Sequence, residues 1–461
     1  MSQYGYTFST PYYYSGTTFA GIPEYIDCIN RGDTLVGICR ELSICALEDS
    51  TYTKAVAKYF DGSQKLVAFS EDLFDNFANG TCNVVTGSPL LIYEQRVRDA
   101  GYKGEYLFAS RLYDREPFAL TTRGDDAEFG DFVNWVLRSL IVAETMNLTN
   151  STSQYFPMTH LFGEEYHHMF QNAIAAVGNY GDMYQRSLSS RSPRLEGGIN
   201  TQHLYERQGG LLYANPLSDL SVGEDGGKEV RLEPNGTLES IISRRSFKCG
   251  LILSDLHGNS REGLAAFSNN TMEGIDVSYC HGITAALFAG RAVDNETLFM
   301  APYATLEEGF LALANGEIDM LAGATYSMEN DVKEPTTGVG FAFSDVYYYY
   351  NGNDSDYDVH PLAMATREDD PQWTDFVRSM VTGTIHAEAS DITRANAIDM
   401  PVIELFGDLF RQSLRDVILT IGNYAEIYEE NMERHLPRSM NTRNTLNSGG
   451  SPQFYTNWKF D

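Results

Sequence analysis

Two stretches of the chain alternate short apolar runs with amphipathic segments. In the first, the pattern predicts a strand with a turn at DTLVGICREL, a helix at STYTKAVAKYF, a strand at KLVAFS, a helix at EDLFDNFANG and a strand at CNVVTGS. Gly80 suits the end of the second of these helices, because glycine readily adopts the left-handed conformation that closes a helix. Strands that alternate with helices indicate a mostly parallel sheet.

Residues 240–345 show the same alternation. The pattern predicts helices at TLESIISRRS, GIDVSYCHGITAALF and TLEEGFLALANGE, and strands at FKCGLIL and IDMLAGA. Both stretches therefore predict the α/β fold class, with parallel or mixed sheets flanked by helices.

Two further segments carry apolar residues at helical spacing. On the first helix they are Phe129, Phe132, Val133, Val136 and Leu140. On the second they are Trp373, Phe376, Val377 and Met380. We predict that both faces pack into a core.

These two helices belong to an internal repeat. EPFALTTRGDDAEFGDFVNWVLRSL corresponds to HPLAMATREDDPQWTDFVRSMVTGT, and LFGEEYHHMFQNAIAAVGNYGDMYQR corresponds to LFGDLFRQSLRDVILTIGNYAEIYEE. The offset is 244 residues throughout, as for Phe132 and Phe376. A constant offset over such a length indicates two copies of one structural unit.

The tyrosine runs FSTPYYYSGTT and FSDVYYYYNG repeat at a different offset, because Phe8 and Phe343 are 335 residues apart. The first copy thus holds 91 residues (335 − 244) that the second replaces with NGNDSDYD, a loop-like sequence. A segment can be deleted cleanly only if its two ends leave the host side by side. We therefore predict an inserted lobe at residues 22–106. The tyrosines themselves are better explained as structural residues than as a stacking platform for a ligand.

Composition excludes some classes of function. The chain has 461 residues, of which 43% are apolar, enough for two or three domains with buried cores. Its 63 acidic and 33 basic residues give a net charge of −30, which argues against binding to nucleic acid or anionic lipid. The most apolar helix candidate contains Arg138 and Glu144, so we expect no membrane span.

Asn-x-Ser/Thr sequons are frequent in the chain, although its first residues lack the apolar core of a signal peptide. The candidate glycosylation sites are Asn79, Asn147, Asn150, Asn235, Asn269, Asn295 and Asn353. Their number favours a secreted or cell-surface glycoprotein, while some of these sequons are expected by chance.

The segments FSTPYYYSGTTF, TLVGICRE, REPFALTTRGDDAEFGDFVNWVLRSLIVAETMN, SFKCGLIL and EEGFLALANGEIDML, taken in order, resemble the amino-acid-binding proteins of ABC importers. These form solute-binding family 3, and the general L-amino-acid-binding branch is the most similar. The resemblance implies periplasmic-binding-protein type II lobes, with lobe 2 inserted into lobe 1. It also implies a small-molecule ligand, such as an amino acid, and a protein partner that is a membrane transporter or a surface protein. The location expected from the resemblance is extracellular, and no cofactor is expected.

This architecture divides the chain into incomplete tandem copies. The first copy is 1–216, with lobe 2 at 22–106 between the partial lobe 1 segments 1–21 and 107–216. A linker at 217–239 leads to the second copy, 240–461, in which lobe 2 is deleted at a junction near 351–358. The first copy would lack the opening half of lobe 1.

The resemblance also implies two disulfides, Cys39–Cys82 in lobe 2 and Cys249–Cys280 in lobe 1. Each would stabilise the fold by roughly 2 to 4 kcal/mol and would require an oxidising compartment. Cys28 and Cys45 would then either pair or stay free. The alternative is six reduced, buried cysteines.

The family's ligand residues do not carry over. Its carboxylate-binding Arg is missing from AGATYSMEND, where Ala324 and Thr325 stand, and its ammonium-binding Asp is replaced at Ser88. Arg40 and Ser43, in the turn RELS, are candidate substitutes, and Phe267 is a candidate ligand-stacking ring or a core residue. A buried, unpaired ligand carboxylate would cost several kcal/mol, so the amino-acid mechanism does not transfer by residue.

Other chemistry is poorly represented. Glu165 and His168 have the i, i+3 spacing of some metal ligands, but a second such helix is missing and a solvated helix face explains them better. No HExxH, P-loop, GxSxG or zinc-type spacing occurs, and a lyase would need an acid/base pair that the sequence does not indicate. We predict a non-catalytic solute-binding protein with a two-lobed cleft. The alternative is a surface interaction module that has lost its ligand site.

Overall fold

The computed structural model describes most of the chain, in two compact units. The residues described are 5–32, 36–48, 50, 52–53, 56, 60, 65–69, 73–110, 113, 116–159, 161–192, 200, 236–253, 264–268, 271–289, 296–332, 339–351, 359–403, 405–434, 436–438 and 444. Unit 1 comprises 1–10, 119–180 and 197–461, and unit 2 comprises 11–118 and 181–196.

Unit 2 contains a five-stranded mixed sheet in the order β5-β4-β6-β3-β7. Its strands are β3 (Thr18–Gly21), β4 (Ser43–Leu47), β5 (Lys65–Phe69), β6 (Val84–Gly87) and β7 (Leu107–Phe108), and a separate pair is formed by β2 (Tyr13–Ser15) and β8 (Glu116–Phe118). The helices are α1 (Pro23–Arg31), α2 (Leu73–Ala78) and α3 (Glu94–Asp99). Strand β4 is parallel to β5 and β6, while β3 is antiparallel to β6 and β7.

Unit 1 is built on a six-stranded sheet in the order β13-β10-β14-β17-β15, with β16 also paired to β17. Its strands are β10 (Phe247–Ile252), β13 (Leu298–Tyr303), β14 (Met320–Thr325), β15 (Phe341–Phe343), β16 (Tyr348–Asn351) and β17 (Val359–Arg367). Two strand pairs join β1 (Tyr6–Phe8) to β9 (Thr121–Arg123) and β11 (Ala266–Ser268) to β12 (Thr271–Glu273). Strands β10, β13 and β14 are parallel, and β17 is antiparallel to its neighbours.

Unit 1 also contains helices. They are α4 (Ala127–Thr145), α5 (Met169–Val177), α7 (Thr237–Arg244), α8 (Ile275–Leu287), α9 (Leu306–Ala314), α10 (Met328–Asp331), α11 (Pro371–Ala389), α12 (Ser413–Ile421) and α13 (Tyr424–Asn431). Helix α6 (Tyr180–Ser187) begins where unit 1 ends. The main core includes Phe247, Trp373 and Phe376, and the opposite face of the sheet packs Phe310, Phe341 and Phe343. The predicted α/β fold class is confirmed.

The 244-residue offset recurs in the backbone. Helix α4 and helix α11 are both 19 residues long and begin 244 residues apart, and each is capped by an aspartate, Asp126 or Asp370, whose side chain accepts a hydrogen bond from the N–H three residues later. Gly163 and Gly407 both have positive φ, 95° and 91°, before short 3-10 turns. Equivalent positions thus have the same local structure because they carry the same capping residues.

The tyrosine runs also occupy equivalent strand positions. Tyr13 is paired with Phe118 in unit 2, and Tyr348 is paired with Leu362 in unit 1. The first residues of these pairs are 335 positions apart and the second residues are 244 apart, as the sequence repeat requires. Each tyrosine run therefore forms a strand beside the segment that follows the inserted or deleted stretch.

Most predicted elements occur where the pattern places them, but the described part of DTLVGICREL, residues 36–42, is not a strand. Residues Gly37–Glu41 form a 3-10 helix, Gly37 has φ 58°, and the strand begins only at Ser43. A left-handed residue breaks an extended run, which explains the difference. STYTKAVAKYF lies largely outside the described residues, as do 217–235 of the predicted linker and 352–358 of the predicted junction. Residues 237–239, at the end of that linker, are the first turn of α7.

The predicted Cys39–Cys82 disulfide is wrong. Cys39 pairs with Cys28 and Cys82 pairs with Cys45, with Cα–Cα distances of 5.7 and 5.8 Å. The reason is the position of β4: Cys45 lies in this strand beside β6, close to Cys82, whereas Cys39 lies in the 3-10 helix that packs on α1. The Cys249–Cys280 disulfide is present, with a Cα–Cα distance of 6.0 Å.

One of the predicted core positions is also wrong. Phe129 is 52% exposed, whereas its equivalent Trp373 is 1% exposed. Of the other four predicted positions on α4, only Leu140 is buried, and Phe132, Val133 and Val136 are half-buried. Burial requires a segment that covers the apolar face as well as the face itself.

Candidate functional site

The six predicted ligand residues are divided between the two units. Arg40, Ser43 and Ser88 belong to unit 2, and Phe267, Ala324 and Thr325 belong to unit 1. Each group is therefore considered within its own unit.

In unit 2, the structure does not bring Ser43 and Ser88 together. Ser43 begins β4, Ser88 follows β6, and the parallel register pairs Ile44 with Val84. The two serines therefore lie at opposite ends of neighbouring strands, about 16 Å apart at the usual rise per residue. Arg40 is exposed in the 3-10 helix before β4.

The carboxyl end of β4, where parallel sheets usually bind ligands, carries hydroxyl residues that the sequence reasoning missed. Ser50 Oγ donates to the Leu47 carbonyl at 2.6 Å, and Thr53 Oγ1 donates to the Ser50 carbonyl at 2.7 Å. The apolar run SICAL predicts strand β4, and the turn that follows this strand contains Ser50 and Thr53. This run is the sequence feature from which the two residues could have been predicted.

In unit 1, Ala324 and Thr325 are buried at the end of β14, 0% and 4% exposed. The Thr325 carbonyl accepts a hydrogen bond from Asn330 Nδ2 at 2.8 Å. Phe267 is 47% exposed on β11, opposite Met272, so it is not a core ring. These three residues do not form a common polar site.

A cavity of about 260 Å³ in unit 1 is the better candidate site. Equivalent positions of the two repeats line it together. The equivalent pairs are Tyr6 and Phe341, Thr7 and Ala342, Phe8 and Phe343, Gly124 and Glu368, Ala127 and Pro371, Gly130 and Thr374, Asp131 and Asp375, and Asn134 and Arg378. The cavity thus lies where the closing segment of the first copy packs on the second copy, with Tyr326 and Asp331 added from the second copy alone.

Four carboxyl groups line the cavity, those of Asp131, Asp331, Glu368 and Asp375. Burial and the nearby carboxylates of Asp331 and Glu368 raise the pKa of Asp131. Burial also raises the pKa of Asp331, although the positive charge of Arg138 opposes this. Burial, together with Asp331 and Glu128, raises the pKa of Glu368 to about 7. The carboxyl groups of Asp131, Asp331 and Glu368 therefore keep their protons to a higher pH than ordinary carboxyl groups do.

A buried arginine supports one side of this cluster. The Arg138 guanidinium lies 4.7 Å from the Trp135 ring centre and 4.5 Å from that of Tyr326, and its Nε donates to Thr10 Oγ1 at 2.8 Å. Trp135 Nε1 donates to Asp331 Oδ2 at 2.8 Å. The aromatic rings stabilise the cation, and the indole N–H partly compensates the buried carboxylate.

A second arginine reaches the cavity from α11. Arg378 donates to the Phe343 carbonyl at 2.9 Å and lies 3.5 Å from the Asp375 carboxylate. The cavity therefore offers carboxyl groups, which can bind an ammonium, and a guanidinium, which can bind a carboxylate.

The sequence reasoning identified none of these residues as ligands. Arg138 was noted only because it interrupts an apolar helix candidate. That interruption was the available signal, since a charge within an apolar helix requires a compensating partner when it is buried.

The candidate metal residues do not form a metal site in the described part of the chain. His168 Nδ1 is 2.6 Å from Gln171 Oε1, and no group of three or more His, Cys, Asp or Glu side chains there could hold an ion. Nor does any helix among the residues described have the length and apolar character needed to cross a membrane.

Three sequons, at Asn79, Asn147 and Asn150, are exposed. The other four, at Asn235, Asn269, Asn295 and Asn353, lie outside the described residues.

Known proteins resemble part of the chain. No protein-family profile matches it. YhdW of Escherichia coli (strain K12) is 24% identical over 229 residues, which cover 44% of this chain and 66% of YhdW. The General L-amino acid-binding periplasmic protein AapJ of Rhizobium johnstonii is 24% identical over 241 residues, covering 46% of this chain and 66% of AapJ. The chain thus spans just under two thirds of the length of these curated relatives.

Two further similarities are more limited. The Glutamate/glutamine/aspartate/asparagine-binding protein BztA of Rhodobacter capsulatus is 26% identical over 185 residues, covering 36% of this chain and 50% of BztA. Among solved structures, an ABC transporter periplasmic binding protein from Brucella ovis with glutathione bound is 24% identical. It covers 43% of this chain and 67% of its own chain, with a TM-score of 0.35.

Proposed function

We propose that this chain, a relative of the amino-acid-binding proteins of ABC importers in solute-binding family 3, binds a small solute without converting it. The observation that carries the proposal is the cavity of unit 1, in which Asp331 and Glu368 face the same space as Arg378. A solute with both an amine and a carboxylate, such as an amino acid, complements this arrangement. A volume of about 260 Å³ suits a solute smaller than a drug-sized molecule.

This cavity is not the two-lobed cleft that the family resemblance predicts. Binding in such a cleft stays a separate prediction. The two are distinguishable because the cavity residues all belong to unit 1. A solute held in the cavity will respond to substitutions at Glu368 and Arg378 and not to substitutions at Ser88.

The location that we propose is extracytoplasmic. Three disulfides are stable only where the compartment is oxidising, and AapJ is named a periplasmic protein. The similarity to binding proteins of ABC importers suggests a membrane transporter as the partner. Glycosylation of the exposed residues Asn79, Asn147 and Asn150 is compatible with an extracytoplasmic location.

Calorimetric titration tests the solute-binding proposal. Protein with intact disulfides is titrated with each of the twenty amino acids and with small amines at pH 7.5. We expect a micromolar dissociation constant for at least one of them, corresponding to about −8 kcal/mol. Glu368→Gln should weaken that binding at least tenfold, because it removes a charge from the cavity wall.

The neighbouring substitution Asp369→Asn is the matched control. Its side chain is 52% exposed and pairs with Arg367, so it should leave the affinity unchanged. If no amino acid or amine releases heat, the solute proposal is wrong. The alternative, an interaction module that has lost the family's ligand site, is then favoured by the missing arginine in AGATYSMEND.

A further inference from the structure

An aromatic cluster near the start of α4 has the same geometry as a cluster near the start of α11. Phe129 stacks on Phe132 with ring centres 6.5 Å apart, and Tyr166 meets Phe132 edge-on at 5.4 Å. At the positions 244 residues later, Trp373 stacks on Phe376 at 5.8 Å. The repeat has therefore produced two versions of one packing arrangement.

The two versions differ in what covers them. Phe129 is 52% exposed and Tyr166 is 42% exposed, whereas their equivalents Trp373 and Phe410 are both 1% exposed. Leu120 is 39% exposed, and its equivalent Met364 is fully buried. An apolar surface of this kind commonly marks a site of interaction.

The covering segment of the second version is known in detail. The Phe247 ring packs edge-on against Trp373 at 5.7 Å, and Trp373 Nε1 donates to the Asp319 carbonyl at 2.7 Å. The Thr237 N–H donates to Asp370, the residue that caps α11. These three contacts come from residues 237–319, which precede the tyrosine run of the second copy.

A strand edge lies beside the exposed cluster. Strand β9 pairs with β1 alone among the described strands, whereas its equivalent in β17 is paired with β15 on one side and with β14 on the other. In particular, Leu321 of β14 is the partner of Ala365, whose equivalent is Thr121. Among the residues that the structure describes, no strand pairs with the edge of β9 that corresponds to the β14 side, and an unpaired edge is a template for a further strand.

A groove of about 560 Å³ runs along this edge. Its lining residues are Tyr6, Thr121, Thr122, Arg123, Asp126 and Phe129, and we call it the open groove. Two of its lining residues have equivalents that are covered in the second copy: Phe129 corresponds to Trp373, on which the Phe247 ring packs, and Thr121 corresponds to Ala365, the partner of Leu321 in β14.

We propose that the open groove binds a β-strand of a protein partner, which pairs with residues 119–121 and packs a large apolar side chain on Phe129. Strand addition at a sheet edge combines main-chain hydrogen bonds with side-chain pockets, and the open groove supplies both. The proposal does not depend on solute binding in the cavity.

The charges around the open groove define the partner further. Asp126 lines the groove, Asp125 and Glu128 are close to it in the sequence, and the lining residue Arg123 is paired with Asp125 at 3.2 Å. The whole chain carries a net charge of −30, which opposes association with a second copy. The complementary partner is therefore a different polypeptide, with lysine or arginine beside its strand.

A chimera supplies the covering segment to the complete protein. Residues 236–339 are repeated directly ahead of Gly5, because Gly340 and Gly5 are equivalent and the natural connection is then preserved. The labelling rate of a cysteine introduced by Phe129→Cys reports coverage, since the six native cysteines are all in disulfides and the two further cysteines of the repeated segment are replaced by serine. We expect the added segment to slow this labelling at least tenfold relative to the unextended chain.

Tyr155→Cys is the matched control. Tyr155 is 68% exposed and its equivalent Asp399 is exposed in the second copy, so the added segment should leave its labelling rate unchanged. Equal labelling rates at position 129 in the chimera and in the unextended chain would overturn the proposal.

A second measurement decides the question if the chimera does not fold. A synthetic peptide of residues 316–326, with two lysines added at its end, is mixed at millimolar concentration with the full chain, and hydrogen exchange is followed at residues 119–123. Protection of these amides supports the proposal, and unchanged exchange contradicts it. If sedimentation instead shows a dimer that Phe129→Glu dissociates, the occupant is a second copy and the proposed partner is wrong.

Discussion

The phenol of Tyr347 donates a hydrogen bond to the Asp276 carboxylate inside the core of unit 1. Both side chains are fully buried, and the Tyr347 oxygen also accepts the Gly323 N–H at 2.9 Å. This residue of the second tyrosine run thereby connects the start of α8 to β14.

Replacing Tyr347 with Phe should lower the free energy of unfolding by about 2 to 4 kcal/mol. The substitution leaves Asp276 Oδ1 and the Gly323 N–H without the Tyr347 hydroxyl, while Asp276 Oδ2 still accepts from the Leu264 N–H at 2.6 Å. Buried polar groups that lose their partner cost more than the net value of the bond itself. Denaturant unfolding measures the change.

Tyr424→Phe is the control for this prediction. Tyr424 is equally buried, but its hydroxyl has no hydrogen-bond partner among the described residues. Its removal should leave the protein unchanged or slightly more stable. Equal destabilisation by the two substitutions would contradict the role of the Tyr347–Asp276 bond.

Replacing Arg138 with Met should destabilise unit 1 by about 2 to 4 kcal/mol, because the buried Asp331 carboxylate loses the nearby positive charge. The double variant Arg138→Met, Asp331→Asn should recover part of this loss. The interaction energy of the double-mutant cycle is the measurement, and strict additivity would show that the two groups are not coupled.

Non-reducing peptide mapping should find Cys28 joined to Cys39, Cys45 joined to Cys82 and Cys249 joined to Cys280. A peptide that contains Cys39 linked to Cys82 would refute this pairing. Removing the Cys45–Cys82 bond by a double Ser substitution should cost roughly 3 kcal/mol, because it closes a long loop.

Stability should fall as the pH rises through the titration of Glu368. Its pKa is about 7 in the folded protein, above its usual 4.5, so between these values the folded state binds more protons than the unfolded state. Glu368→Gln should reduce the loss of stability between pH 5 and pH 8 by about 1 kcal/mol, a figure lowered to allow for solvent screening of this partly exposed group.

The control for the pH dependence is Asp369→Asn, at a largely exposed neighbouring side chain. Asp369 makes the smallest of the contributions that raise the pKa of Glu368, so unfolding curves across this pH range should show a slope close to wild type for Asp369→Asn and a clearly smaller slope for Glu368→Gln. The same slope in all three proteins would exclude Glu368 as the titrating group.

The limits of sequence-based prediction are clearest on α4. The same periodicity predicted that Phe129 and Trp373 would both be buried, yet one is 52% exposed and the other 1%. Periodicity shows which face of a helix is apolar, because side-chain direction follows from the local backbone. It does not show which distant segment covers that face.

Sequence patterns predicted even less of the candidate site. Asp131, Asp331 and Glu368 are separated by up to 237 positions, and no spacing rule relates them. Their proximity follows from the packing of the first copy's closing segment on the second copy's sheet.

The sequence by itself determined the elements and their repetition, from the 244-residue offset of α4 and α11 to the pairing of both tyrosine runs. These features depend on backbone preferences, caps and turns, which are local. Only the tertiary structure decided that Cys45 pairs with Cys82, that carboxyl groups of both copies share one cavity and that Phe129 is exposed. Each of these depends on distances between segments far apart in the chain, and the burial that results changes the energies of charged and apolar groups alike.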